Sequence, residues 1–407
     1  IKKVRYNYRG VIMTNNTALS NLKILDFTTL LPGPYATLML ADMGAEVLKV
    51  SSKSKVDLVY NMGAFDEEIG LSANQLWLNR NKKTISLNLK SPKAIEIIKE
   101  LIKEYDIVIE QFRPGVMKKL GLSYEDLSKI NPKLIYCSVS SYGNSGPAMN
   151  KAGHDCNFMA LSGLLSVAGR KSTGPSLMST QLGDIAGGAL HSVIGILAAV
   201  NYRNLSGKGQ YIDISMMDTI IPMNTFEGTS FLMDGKKRER EGFELNGKGI
   251  YDIYETSDKE YITVGSLEPK FLKKLAEAVG LPELLEKGPT PDDGGLLKAR
   301  LVEIIKSKPL AHWNQVFGEL DACIEPILDF DQAFNHEPQI KAREMIVEVD
   351  AGKKKVRQFA MPIKFSEADV LYRHAGREIG HDTHDVLKKL GYNDSEIAAM
   401  DSEEVFK

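Results

Sequence analysis

Two histidine–aspartate pairs, each preceded by glycine, stand out in the 407-residue chain: Gly153-His154-Asp155 and Gly380-His381-Asp382. The first follows the polar, glycine-rich stretch "SYGNSGPAMNKAG" and opens a helical pattern. The positive end of a helix disfavours an imidazolium, so His154 there is suited to accept a proton. The plainer alternative is a helix cap by Asp155 beside a surface histidine. Asp184, in "QLGDIAGG", opens a long segment rich in Ala, Gly, Ile and Leu. A carboxylate in that position could act as general base or as nucleophile, or could simply cap the helix. Glu268 precedes Pro269 in "GSLEPKF" and suits a helix start, either as a functional acid or as an exposed residue favoured by the dipole. Lys90 and Arg113 follow predicted strands and could hold phosphate, since ligands collect at the carboxyl ends of parallel strands. Ordinary solvated charge is the alternative for both. The second Gly-His-Asp precedes Val386, Leu387 and Leu390 and reads as a capping turn. His381 and His384, with Asp382 and Asp385, have no second ligand group nearby in sequence, so no metal is expected.

These residues need elements to position them. Lys23–Phe27 reads as a strand, Tyr35–Met43 as a helix ending at Gly44, and Ala45–Val50 as a second strand, which makes a βαβ unit. The dinucleotide fingerprint G-x-G-x-x-G is missing from its first turn, so no nicotinamide cofactor is expected. Strands are predicted at Ile85–Leu89, Asp106–Glu110, Leu134–Val139 and Gln210–Ser215. Ala94, Ile97, Ile98 and Leu101 repeat at helical spacing between two of them. Asp184–Leu205 is predicted to be a buried helix. After about Phe226 the character changes. Two strand-like runs flank Ser257-Asp258-Lys259, which predicts a hairpin, and Pro269–Val279 follows as a helix. The expected organisation is α/β. A Rossmann-like large domain with a parallel sheet begins at residues 13–229, a smaller α+β domain spans 230–330, and residues 331–407 return to the large domain.

Composition narrows the class. With 43% hydrophobic and 26% charged residues the chain can build a large core, and a net charge of −2 gives no reason to expect nucleic acid or membrane as partner. No apolar run of about 20 residues is evident in the sequence. Three cysteines, Cys137, Cys156 and Cys323, without a pairing pattern suit a reducing compartment, and a cytoplasmic location is expected. The basic residues 1–12, ahead of Met13, lack the apolar core of a signal peptide and read as upstream sequence or a short arm.

In order along the chain, "LKILDFTTLLPGPYATLMLADMGAEVLKV", "NRNKKTISLNLKSP", "QFRPGVMKKLGL", "NPKLIYCSVSSYGNSGP", "AGHDCNFMALSGLL", "LGDIAGG" and "GKGQYIDISMMD" resemble the motifs of the family III CoA-transferase superfamily, the CaiB/BaiF type. The resemblance runs from about Leu22 to about Tyr392. It implies an acyl-CoA substrate, no separate cofactor, and an interlocked homodimer. It further implies that Leu87, Asn88, Leu89, Lys90, Arg113, Gly153, Asp155, Cys156, Asn157 and Phe158 contact CoA or substrate. Both branches of the family carry an aspartate where Asp184 stands. The α-methylacyl-CoA racemase branch adds a histidine matching His154 and a glutamate matching Glu268, and "DACIEPIL" is similar to that branch. The resemblance therefore implies racemisation of 2-methylacyl-CoA thioesters by two bases, His154 and Asp184. The alternatives are a CoA transferase with Asp184 as nucleophile and, third, a CoA-binding regulatory protein. Where the family carries an acidic residue followed by Arg-Pro, this chain departs from the pattern with "SSKSK", which leaves Lys53 and Lys55 as the candidates for a nucleotide contact there. The segment "ELNGKGIYDIY" likewise departs from the usual Gly-Ala-Pro pattern.

Overall fold

A computed structural model describes residues 16–407; the reading of residues 1–12 lies outside the described residues. Six parallel strands form the main sheet: β1 (Lys23–Phe27), β2 (Glu46–Ser51), β3 (Lys83–Ser86), β4 (Ile107–Glu110), β5 (Ile135–Ser140) and β6 (Gln210–Ser215). Their spatial order is β3-β2-β1-β4-β5-β6. This is the doubly wound arrangement, in which the chain reverses direction across the sheet between β1 and β4 and leaves a crevice at the carboxyl ends.

Local chemistry explains the main helices of this unit: α1 (Pro32–Asp42), α2 (Pro92–Leu101), α3 (Asp155–Leu161), α4 (Gly183–Ser206) and α5 (Met216–Ile220). Both α1 and α2 begin with proline, whose fixed φ suits a first turn and whose missing N–H is no loss there. The stripe Ala94, Ile97, Ile98 and Leu101 is buried against Leu25, Leu48 and Val108 of the sheet. Strand β3 is shorter than predicted. Its pairing with β2 ends at Ser86, the Leu87 N–H still donates to the Ser51 carbonyl, and the chain then turns towards α2.

Helix α4 differs from expectation in two ways. Its first turns, Gly183–Leu190, are π-helical before regular α-helix follows over His191–Ser206. It is also buried on one side only: Ser192, Val193, Ile196 and Ala199 face the core, while Ile194 and Leu205 are exposed. Its 24 residues include an 18-residue window of mean hydropathy 1.5, so it is long and apolar enough to cross a membrane, which corrects the expectation that no apolar run reaches that length. A core helix flanking a parallel sheet passes the same test of length and composition.

Buried charges brace the sheet. Asp26, fully buried, accepts hydrogen bonds from Thr28 and Thr37 and pairs with Lys49 (3.6 Å) and Lys82 (3.4 Å). Arg80 pairs with Asp42 and also donates to Gln358, so the C-terminal stretch is tied to this unit through its core. The second Gly-His-Asp serves the same end. Asp382 Oδ2 accepts from the Thr84 N–H while its own N–H donates to the Thr84 carbonyl, both at 2.9 Å, so it pairs with the outer edge of β3. The left-handed Gly380 (φ +82°) makes the turn that brings it there.

The chain divides into two compact units. The first contains the described residues up to Ser162, then Thr180–Ile221 and Arg343–Lys407. The second contains Gly163–Ser179 and Pro222–Ala342. The passages fall at 221/222 and 342/343 rather than near 230 and 331, because the helices Thr225–Asp234 and Pro338–Ala342 belong to the second unit. That unit has its own antiparallel sheet of β7 (Asp252–Glu255), β8 (Tyr261–Val264) and β9 (Ile324–Pro326), with β8 in the middle. Helix α6 (Pro269–Val279) buries Leu272, Leu275, Ala276 and Val279 in a separate core with Trp313 and Phe317.

Candidate active site

The loop after β5 carries the first Gly-His-Asp to the carboxyl end of the sheet. Ser141 Oγ donates to the Gly153 carbonyl (3.0 Å) and so fixes the residue before the histidine. His154 then opens α3 in extended conformation. Its N–H donates to Asn157 Oδ1 (3.0 Å) and its imidazole is exposed. Asp155 takes the first helical position, but its carboxylate does not stay on its own helix. Asp155 Oδ1 accepts from the main-chain N–H of Gly183 (2.7 Å) and of Asp184 (3.1 Å). One carboxylate thereby satisfies two free donors at the start of α4 and meets its positive end. This contact spans 28 to 29 residues of sequence and ties the histidine turn to the aspartate helix.

Gly183 is required by that approach. A Cβ there would lie 2.4 Å from the Phe158 ring, 2.6 Å from Ile220 Cδ1 and 3.0 Å from Asp155 Oδ1. Gly188 is as closely packed, with Pro32 of α1 2.6 Å from where its Cβ would be. The glycines of "LGDIAGG" thus let α1, α3 and α5 close on the π-helical turns. The wide π turn has one more residue per hydrogen-bonded ring than an α turn, a geometry often found at functional sites.

Asp184 is half-buried. Burial, with the Asp155 carboxylate beside it, pushes its carboxyl up to about 7. At neutral pH such a group is populated in both protonation states and can give or take a proton.

The other expected residues occupy varied settings. Phe158 and Leu87 are buried: Phe158 packs on Gly183, and Leu87 joins the core with α2. Asn88 is half-buried and its N–H donates to the Val405 carbonyl, so the C-terminal residues line the stretch after β3. Leu89 is half-buried and packs on the core, while Lys90, Arg113, Cys156 and Asn157 are exposed. Arg113 follows β4 at the crevice, where Gln111 bridges to the Gly33 N–H (3.1 Å) across the point of strand reversal. Lys53 lies near Gly380 with its N–H donating to Ser86 Oγ, and Lys55 is exposed. Glu268 belongs to the second unit, where it is exposed and its carbonyl caps α6 through the N–H groups of Phe271 and Leu272. Sequence reading missed Ser141; the glycine-rich loop in which it stands was the available signal.

A family model described as CoA-transferase family III matches residues 19–383. The chain belongs to CoA-transferase family III. It is 30% identical to the alpha-methylacyl-CoA racemase of Homo sapiens, across 96% of this chain and 98% of that protein. It is equally 30% identical to the succinyl-CoA:glutarate CoA-transferase of Homo sapiens, across 95% of this chain and 90% of that protein. Among solved structures, a CAIB/BAIF family protein from Brucella suis superimposes with a TM-score of 0.81 at 27% identity, covering 92% of this chain and all of that one. Racemases and CoA-transferases stand equally close, so likeness alone does not choose the reaction.

Proposed function

We propose that the protein is a racemase of 2-methylacyl-CoA thioesters, moving the α-proton between two bases. The observation that carries this reading is the bridge from Asp155 to the amides of Gly183 and Asp184, which couples the histidine turn to a carboxyl group raised to about 7. Racemisation requires one group to remove a proton and another to return one to the opposite face. An ordinary carboxylate holds almost no proton at neutral pH. A carboxyl near 7 does, and so can return one. His154 serves the other face. The CoA moiety is part of the substrate, and no further cofactor takes part. The N–H groups at the start of α3 are the natural donors to the enolate oxygen. The active form is an interlocked homodimer in a reducing, cytoplasmic setting.

A CoA transferase is the second reading, favoured by the half-burial of Asp184, which would shield an aspartyl thioester from water. In that case the raised carboxyl must first lose its proton to attack. Proton NMR of a single-enantiomer 2-methylacyl-CoA with the protein in D2O separates the two. Loss of the α-proton signal with appearance of the other epimer, in the absence of any acceptor acid, is the expected result. Passage of CoA to an added carboxylate without exchange would replace the racemase by the transferase.

A further inference from the structure

Five tyrosines are deeply buried in the described residues: Tyr60, Tyr105, Tyr136, Tyr142 and Tyr254. Four have hydroxyl partners. Tyr60 accepts from Asn79, Tyr105 donates to Glu46, Tyr136 to the Leu122 carbonyl and Tyr254 to the Ile250 carbonyl. Tyr142 is the exception. Only 5% of the residue is exposed, and among the described residues its hydroxyl has no hydrogen-bond partner.

Its position gives this meaning. Tyr142 follows Ser141, the residue that anchors Gly153. Its hydroxyl oxygen would lie 2.6 Å from a Cβ on Gly153, so it sits directly against the residue preceding His154. The Cys156 thiol is close enough to act on it, and this, after burial, moves the phenol above its ordinary value. The group is therefore a protonated donor at neutral pH. Leaving a buried donor unpaired forfeits its hydration with nothing in return, whereas phenylalanine would fill the same space without that loss. A fold that keeps the hydroxyl here, beneath the histidine turn, keeps a donor in reserve.

We propose that the Tyr142 hydroxyl is a catalytic hydrogen-bond donor to the thioester oxygen of bound acyl-CoA, reached when the Gly153–Cys156 turn yields to the substrate. This rests on the reading that an acyl-CoA thioester lies beside His154 and Asp184. No bond is made or broken at the phenol. Its proton stays in place, and the hydrogen bond strengthens as negative charge builds on the oxygen after the α-proton leaves.

Tyr142→Phe tests this through three readouts on the full-length protein: the melting temperature of the free protein, the rise in melting temperature with a 2-methylacyl-CoA, and the rate of α-proton exchange. The expected result is a free variant at least as stable as the wild type, a smaller rise with the acyl-CoA, and turnover lower by about 10²–10³. A less stable free variant would show that the hydroxyl has a structural partner and would overturn the proposal. Unchanged turnover and an unchanged rise in an active wild type would overturn it while leaving the racemase reading intact. If the wild type binds the acyl-CoA but shows no exchange, the racemase reading falls and the donor role is decided by the rise alone: smaller in the variant supports it, equal overturns it. A wild type that the acyl-CoA does not stabilise would overturn both.

Discussion

At the scale of the residue, Asp155 has two distinct effects on Asp184. Its hydrogen bonds to the amides of Gly183 and Asp184 hold the start of the helix, and its charge adds to burial in raising the Asp184 carboxyl. Asp155→Asn keeps the shape and removes the charge. The acidic limb of the pH–activity profile is expected to move to lower pH, because a carboxyl relieved of a neighbouring negative charge loses its proton more readily. An unmoved limb would show that Asp184 does not titrate in the reaction. His154→Ala is expected to lower proton exchange by about 10²–10⁴ while leaving CoA binding nearly unchanged. Normal turnover in that variant would remove the histidine from the mechanism.

At the scale of the element, the start of α4 depends on glycine. A methyl group on Gly183 would intrude on Phe158, Ile220 and Asp155 at once, and Asp155 is held in place by its bonds to the Gly183 and Asp184 amides. Gly183→Ala is expected to cost about 1–3 kcal/mol, read as a lower urea midpoint, and to lower activity by displacing Asp184. The same substitution at Gly207, which ends α4 in left-handed conformation (φ +74°) with no atom near its missing Cβ, carries only the backbone penalty and lies far along the helix from Asp184.

At the scale of the molecule, two carboxyls raised furthest from their ordinary values set a trend in stability. Burial lifts both Asp184 and Glu110 to about 7, against ordinary values of 3.8 and 4.5. Between about pH 4 and 7 the folded state holds protons that the unfolded state has released, so these groups lower stability as pH rises through that window. The melting temperature is expected to fall from pH 5 to pH 7; above that, Lys82, lowered by burial to about 7, acts in the opposite sense. Asp184→Asn and Glu110→Gln should each flatten that fall, by on the order of 2 kcal/mol at the alkaline end. Asp26 acts in the opposite sense and in another range. Burial alone would raise it, but Lys49 and Lys82 hold it below 3.8, so its contribution is lost only in acid below about pH 4. A melting temperature that rises steadily from pH 5 to pH 7 would contradict the raised values.

Much of this was legible in the residues themselves. The stripe of Ala94, Ile97, Ile98 and Leu101, the strand Gln210–Ser215, the hairpin about Ser257–Lys259 and the helix Pro269–Val279 lie where periodicity and turn chemistry put them, because each is determined by neighbours within a few residues. So too was the family, whose motifs recur in order along the chain. What only the tertiary structure decided depends on groups distant in sequence. Asp155 reads locally as a helix cap, and it does cap a helix, but that helix begins 28 residues later. Asp382 repeats the same tripeptide and instead pairs with a strand edge at Thr84, since its surroundings and not its neighbours assign its bonds. The π turns of Gly183–Leu190, the burial of Lys49 and Lys82 around one aspartate, and the unpaired hydroxyl of Tyr142 arise from packing between elements, which no local pattern encodes.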